Sequence, residues 1–389
     1  MIAHTYVDED PRVRREAEAL VAAGHEVDVF GLRRPGDAGA GELDGFRLHR
    51  LDVQRHQGAG LAVYLREYLS FLGRSGWALA RAHRSRRYGL VQVHSLPDFL
   101  AFAALPVRLT GVPLVLDLHE AMPEFFRSRF PGASKPAVHR LLVAQELASI
   151  RIASSVLTVN EALAERLRTL GVRAGKVHIV ANAPSLTRFD PSAYPIRTFA
   201  ADGTVRLVYA GALTPIYELD VVLDALARLR ADRPELAITL DVYGRGDLEP
   251  AWRARVVEAG LADRVRFHGR IALDDVPAAI AAADIGLSPT RRDRFTDVSL
   301  STKTFESAAM GKAAIASRLP MVEATFPAGT VRTYEPGDSG SLAAAIRELV
   351  DDPVGREASI AATSAVVRER SWERESVAYV ELIEELMRG

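Results

Sequence analysis

Residues 205–226 read VRLVYAGALTPIYELDVVLDAL. The first seven, VRLVYAG, form a near-continuous apolar run, the pattern of a strand buried on both faces of a parallel sheet. From Leu219 the period changes, and Val222, Leu223, Leu226 and Leu229 recur at helical spacing. A strand running through a short loop into a helix is the repeating half of a βαβ unit. Gly211 opens the loop that ends at Glu218, where backbone amides can approach a phosphate.

The same alternation extends in both directions. Towards the N-terminus, strand-like runs fall at 26–30, 46–51, 90–94, 114–118, 155–159 and 177–181. Towards the C-terminus they fall at 237–244, 265–269, 285–289, 313–317 and 331–335. Asp10 is a good N-cap, with Pro11 at the first helical position, Val13, Ala17, Leu20 and Val21 as the apolar stripe and Gly24 as the stop. Residues 184–204 carry three prolines and read as a linker between two α/β series. The expected organisation is a Rossmann-like domain over 1–190, a second over 204–370, and a terminal helix over 371–389 whose packing face is Trp372, Val377, Val380, Ile383 and Leu386. Residues 36–60 are expected to form a flexible loop that closes over a ligand. In such sheets ligands bind beyond the carboxyl ends of the strands.

Composition narrows the function classes. With 389 residues and 48% hydrophobic content the chain can bury two or three cores. A net charge of −1 gives no field to draw it to nucleic acid. The absence of cysteine excludes disulfides, thiolate metal sites and a cysteine nucleophile. No segment approaches the ~20 apolar residues of a membrane span, and the first 20 residues lack the apolar core of a signal peptide. A cytoplasmic protein is expected; the basic stretch Arg74, Arg81, Arg84, Arg86 and Arg87 reads as a solvated helix face, as a contact to the inner membrane face, or as a patch for an anionic acceptor.

The richest segment chemically is FTDVSLSTKTFESAAMGKAAIAS, residues 295–317. Ser301 is a plausible N-cap, the helix runs from about Thr302, and Gly311 ends it. Lys303 in the first turn opposes the helix dipole. Either it pairs with Glu306 on the surface, or an anion such as a diphosphate sits at the helix N-terminus with Lys303 as its partner and Glu306 on a ribose. His119 follows the run LVLDL and so belongs at the carboxyl end of a strand. HEAMPE is not a zinc-protease motif, because no second histidine follows four residues after the first. No Gly-x-Gly-x-x-Gly follows a strand, which argues against a dehydrogenase.

Residues 295–317 resemble the donor-binding signature of family 4 glycosyltransferases, in the branch with Leu-Pro-x-Lys-x-x-Glu followed by a small-residue helix and Gly-Lys. Here the residues are Leu300, Ser301, Thr302, Lys303, Thr304, Phe305 and Glu306, then Gly311 and Lys312. Ser301 replaces the proline; Val298 stands where other members carry a first glutamate, with Asp297 beside it. Residues 10–29, 117–124 (DLHEAMPE), 157–167, 177–184, 205–226, 240–248 and 371–386 resemble further family segments in the required order. The resemblance implies a GT-B fold, two Rossmann-like parallel-sheet domains facing across a cleft, with the last helix crossing back to the first. It implies retaining glycosyl transfer from a UDP- or GDP-type sugar to an acceptor, with no metal and no other cofactor. His119, Lys303 and Glu306 are the implied catalytic residues. Gly211, Ala212, Tyr217, Gly244, Arg245, Asp297, Ser299, Leu300, Ser301 and Thr302 are the implied donor contacts, and Asp8, Asp10 and Glu120 the acceptor side. The sequence departs from the family between strand and helix: the usual arginine and lysine are Ala212 and Tyr217, and Glu218 replaces a glycine. Lys303 must then do more, with Arg245, Arg291 and Arg292 as candidate helpers. The alternatives are a nucleotide-sugar epimerase, another GT-B enzyme, or a non-catalytic degenerate scaffold.

Overall fold

The computed structural model describes residues 1–55 and 60–388. Two compact units emerge, Met1–Asn182 with Glu373–Gly389, and Ala183–Trp372.

In the first unit the strands are β1 (Asp28–Leu32), β2 (Ala40–Leu43), β3 (Phe46–Leu51), β4 (Val91–His94), β5 (Leu114–Leu118), β6 (Ser155–Thr158) and β7 (Val177–Ile179). They form a three-stranded set, β1-β3-β2, and a parallel four-stranded set, β4-β5-β6-β7. Ile2 bridges both β1 and β4 in parallel, so residues near the N-terminus join the two sets. β1, β4, β5 and β6 are buried along their whole length, as helices on both faces require. Antiparallel β2 pairs with β3 through a two-residue turn in which Asp44 and Gly45 both have positive φ, 49° and 82°. Residues 36–60 are therefore largely a hairpin rather than a loop, because Asp44-Gly45 supplies the tight turn; residues 56–59 lie outside the described residues.

The second unit is one parallel sheet of β8 (Thr204–Ala210), β9 (Ala237–Tyr243), β10 (Val265–Gly269), β11 (Ile285–Ser288), β12 (Ala313–Ser317) and β13 (Arg332–Tyr334), in the order β10-β9-β8-β11-β12-β13. The helix Leu219–Asp232 buries Val222, Leu223, Leu226 and Leu229 on it, with Leu207, Leu240 and Ile346 in the same core. Residues 184–204 are not a free linker. Phe189 is buried with Val208, Ile280 and Met310, and Arg197 pairs with the buried Asp284 at 3.0 Å, so apolar burial and an ion pair bind this segment into the second unit.

The terminal helix Trp372–Arg388 belongs to the first unit from Glu373 onward. Its inward residues are Tyr379 and Ile383, while Val377 is exposed: the Tyr379 hydroxyl donates to Gln92 Oε1 at 2.7 Å, which sets the helix rotation. Among the described residues no helix is long and apolar enough to cross a membrane.

Candidate functional site

The second unit's strand order reverses between β8 and β11, the topological point where open α/β sheets bind ligands. The loop 211–218 covers that point. Tyr217 bridges Thr290, the Arg291 amide donates to the Ile216 carbonyl at 2.8 Å, and the Glu218 amide to that of Pro289 at 3.2 Å. Glycine is required here by contact. A Cβ on Gly244 would lie 1.8 Å from the Gly211 carbonyl oxygen, and one on Gly246 would lie 2.2 Å from that of Leu213. The turns after β8 and β9 are thus pressed together, backbone to backbone.

The helix Thr302–Ala309 starts at this place and packs on β11, where a Cβ on Gly286 would lie 1.9 Å from Ser307 Oγ. Ser301 occupies the N-cap in extended conformation, but its side chain makes no capping bond, and its Oγ is buried without a partner. The capping role expected of it is therefore absent, and the first-turn amides lack that acceptor. Lys303 lies against Gly211, close enough that a Cβ there would be 2.3 Å from its Cε. Its Nζ stands 3.9 Å from the ring centroid of Tyr217 and 5.4 Å from that of Tyr209. Lys303 has no carboxylate partner among the described residues, so the surface pairing with Glu306 is not formed.

The neighbouring cations divide into two kinds. Arg292 pairs with Asp297 at 3.2 Å and Arg291 with Asp293 at 3.6 Å, both near solvent. Arg245, in the turn after β9, makes no ion pair among the described residues; its guanidinium lies near Gly269. Asp297 is therefore engaged, and Ser299 Oγ donates to the Phe295 carbonyl at 2.8 Å. Ala212 contributes its carbonyl to the Tyr209 hydroxyl at 2.7 Å. Leu300 packs on the Phe305 cluster, and Thr302 is half-buried in the first turn. Glu218 faces inward and accepts from the Gly337 amide at 3.0 Å and the Tyr334 hydroxyl at 3.3 Å; burial pushes its carboxyl up. The residue replacing the family's glycine thus ties the loop after β13 to the site.

In the first unit a buried polar network gathers at the carboxyl ends of β4 and β5. Arg12 forks onto Asp117 at 2.7 and 2.8 Å and pairs with Glu16 at 3.1 Å. Gln92 donates to Glu16 at 2.6 Å, and His94 Nδ1 lies 3.0 Å from Asp117. His119 Nδ1 is 3.5 Å from the same Asp117 oxygen, beyond a good hydrogen bond. Burial alone would raise Asp117, but the Arg12 guanidinium and the two imidazoles hold it well below the usual carboxylate range. Burial pushes His119 down and Asp117 pushes it up; the net direction is up. His94, Asp117 and His119 place ligand-type atoms within 4.8 Å of one another. A metal ion held there would share Asp117 Oδ2 with the Arg12 guanidinium.

Asp10 caps the helix Pro11–Ala22, accepting from the Arg12 and Val13 amides at 3.1 Å each. Asp8 pairs with Arg34 at 3.0 Å. Both carboxylates are thus committed to structural contacts. Glu120 follows His119, with its carboxyl pushed up by burial. Glu124 shares Arg166 with Glu146, at 2.8 and 2.9 Å. Sequence reasoning missed Arg12, Glu16, Gln92, His94 and Asp98. Asp98 is fully buried with neither carboxylate oxygen bonded, and burial beside Glu146 holds its proton well above the ordinary range. Position is the signal that could have found His94 and Asp98: each ends or follows a strand run.

Residues 10–183 match the family described as "Glycosyl transferase 4-like domain", and residues 204–352 match "Glycosyl transferases group 1". The chain is 26% identical over 364 residues to glycogen synthase of Mycobacterium tuberculosis, covering 89% of this chain and 83% of that protein. The fold is shared with sucrose-phosphate synthase from Thermosynechococcus elongatus, at TM-score 0.75 and 21% identity over 99% of this chain and 98% of that one. It is shared also with Anabaena Alr3699/HepE in complex with UDP-glucose, at TM-score 0.70 and 15% identity over 99% and 98%. With a family 4-like domain in its first half and a group 1 domain in its second, on the GT-B fold, the chain is a glycosyltransferase.

Proposed function

We propose that the chain transfers a sugar, with retention at the anomeric carbon, from a UDP- or GDP-type donor held by the second unit. The acceptor binds on the first unit, and no divalent cation takes part. The carrying observation is Lys303: an ammonium clamped over Tyr217 against Gly211, with no carboxylate partner among the described residues. Departure of a nucleoside diphosphate develops negative charge on its β-phosphate. A fixed cation and a helix N-terminus stabilise that charge most where water is excluded. Lys303 is the leaving-group residue in this reading, consistent with the Leu300 to Glu306 motif, and Glu306 binds the ribose. Arg245 is the second available cation. Gly211, Gly244 and Gly246 let the turns after β8 and β9 pack closely together beside Lys303.

His119 contacts the transferred sugar, with Asp117 favouring its imidazolium form. Glu120 belongs to the acceptor side. The structural neighbour solved in complex with UDP-glucose supports a UDP donor, and the acceptor is a glycan, a small molecule or a lipid-linked sugar. The test is thermal stabilisation by UDP, GDP, ADP and dTDP, with and without chelator. A ligand at about 100 times its Kd adds ~2.7 kcal/mol. One nucleotide raising Tm equally with chelator supports the proposal. Loss of the shift with chelator would refute metal independence. No response to any nucleotide would favour a non-catalytic scaffold, with Ala212 and Tyr217 marking the lost cations.

A further inference from the structure

The helix Leu61–Arg86 in the first unit has an inward row spaced by four, Glu67, Phe71, Ser75 and Leu79, all buried. Its one acid, Glu67, is consumed inside, 3.0 Å from His4. Outward from it, Leu65, Leu69, Gly73 and Trp77 advance by about 40° per step and share one broad outer face, with Leu61 and Arg81 at its edges. The four large apolar members are 47%, 51%, 52% and 67% exposed. An isolated exposed leucine is ordinary. Leu65, Leu69 and Trp77 together on the outer face of one helix are not, because that face is where a solvated helix carries charge.

Exposed Arg66, Arg74, Arg81 and Arg84 flank or end this face, and none has a carboxylate partner among the described residues. Arg81 lies over the Trp77 ring at 5.5 Å. Arg86, by contrast, is held by Glu26 and Asp28. The face is thus apolar and cationic, and its helix exposes no acid.

We infer that this face docks flat on an anionic lipid surface, with Leu65, Leu69 and Trp77 in the headgroup–acyl boundary and the arginines on lipid phosphates. Apolar residues with a cationic border are the pattern of helices lying in the membrane interface, where tryptophan is favoured. Charge complementarity selects lipid over a second copy of the chain. An isologous dimer through this face would bring two sets of unpaired arginines together. The inference stands apart from the donor reading, since it rests on no residue of the donor site.

Tryptophan emission offers a direct measurement. The chain has three tryptophans, and Trp252 and Trp372 are buried, so a change on adding vesicles reports Trp77. With phosphatidylglycerol vesicles the emission should move to the blue and the protein should sediment with the lipid. Phosphatidylcholine vesicles should give neither, and raised salt should weaken the binding. Removing three arginines (R66S, R74S and R81S together) should lower the partition coefficient roughly a hundredfold, at about fivefold per arginine. Leu65→Glu with Leu69→Glu should abolish it, with circular dichroism unchanged because both positions are outward. Unshifted emission with the protein left in the supernatant would overturn the inference. So would equal, salt-insensitive binding to both lipids. A lipid-free blue shift that grows with protein concentration, together with a dimer by sedimentation, would overturn it in favour of self-association. UDP stabilisation measured on the same variants reports the donor reading separately.

Discussion

Replacing Tyr217 by leucine tests the assignment of Lys303. The ammonium stands 3.9 Å above the Tyr217 ring and 5.4 Å from Tyr209. A cation over an aromatic face contributes ~0.5–1 kcal/mol when exposed and ~2 when desolvated. Lys303 is half-buried, so ~1–1.5 kcal/mol of its placement rests on Tyr217. Leucine stays apolar but removes the π-face along with the ring; phenylalanine keeps both ring and π-face. We expect Tyr217→Leu to reduce kcat/KM for the donor by about 5–10-fold, with the larger part in kcat, because the leaving group gains charge only in the transition state. Tyr217→Phe should lie within about twofold of the parent chain. The assay is donor hydrolysis or transfer with saturating acceptor, with Tm measured beside it to exclude unfolding. Equal rates for the leucine and phenylalanine variants, whether both intact or both impaired, would refute the reasoning. The first outcome would show that the ring is dispensable, and the second that the hydroxyl carries the role.

Five further substitutions test other parts of the structure. Gly211→Ala meets only the movable end of Lys303 and the Tyr209 hydroxyl, so donor affinity should fall about tenfold with Tm nearly unchanged; Gly244→Ala, at φ 141° with a Cβ 1.8 Å from a carbonyl oxygen, should cost about 1–3 kcal/mol in denaturant unfolding. Arg12→Leu strands the Asp117 carboxylate in the core and should lose about 3–5 kcal/mol, read by the same denaturation. His119 carries a raised pKa, so its share of stability is full below about pH 6.5 and is lost as pH rises through the folded value; His119→Gln should remove that segment of the Tm–pH curve. Asp98 also binds its proton more tightly when folded, so its contribution is full below about pH 3.8 and declines as pH rises; Asp98→Asn should flatten that decline without loss of fold.

The predicted 114–118 and 313–317 coincide with β5 and β12, legible because parallel strands buried on both faces leave nearly unbroken apolar runs. The predicted 46–51 and 265–269 coincide with β3 and β10, where burial alternates and the first apolar residues stand two apart. β2 was illegible for the opposite reason: Ala-Gly-Glu-Leu is exposed and carries no periodicity, and only the Asp44-Gly45 pair announces its turn. The N-terminal residues that join the two strand sets leave too short a run to read. In the candidate site, the Lys303 motif was readable because it is contiguous. The polar network was not, because its members lie far apart in the chain. Arg12 and Glu16 look like an ordinary surface pair at i,i+4 until Asp117, 105 residues on, and Gln92 enclose them.

The two sites differ in how their charges are balanced, and that difference bears on what each can do. At the carboxyl ends of β4 and β5 the guanidinium, carboxylates and imidazoles contact one another, and Tyr379 extends the cluster to the last helix through Gln92. Arg12 and Asp117 balance each other there, and Asp117 favours the protonated form of His119, whose Nδ1 has no hydrogen-bond partner among the described residues. After β8 and β9 the balance is left open. Lys303 and Arg245 lack carboxylate partners among the described residues, and Ser301 does not cap its helix. Acids that could neutralise this site are spent elsewhere: Asp297 on Arg292, Asp293 on Arg291, and Glu218 inward on the Gly337 amide. Uncompensated cations beside uncapped amides are stabilised by an anion that spans them, and a diphosphate supplies that charge in one bound group. Adding a competing acid should therefore do more harm than deleting a cation. Thr302→Asp, beside Lys303, should weaken nucleotide binding at least as much as Lys303→Ala while stabilising the helix start by ~0.3–1 kcal/mol, and the opposite signs of those two effects are what a purely structural role for Lys303 would fail to produce.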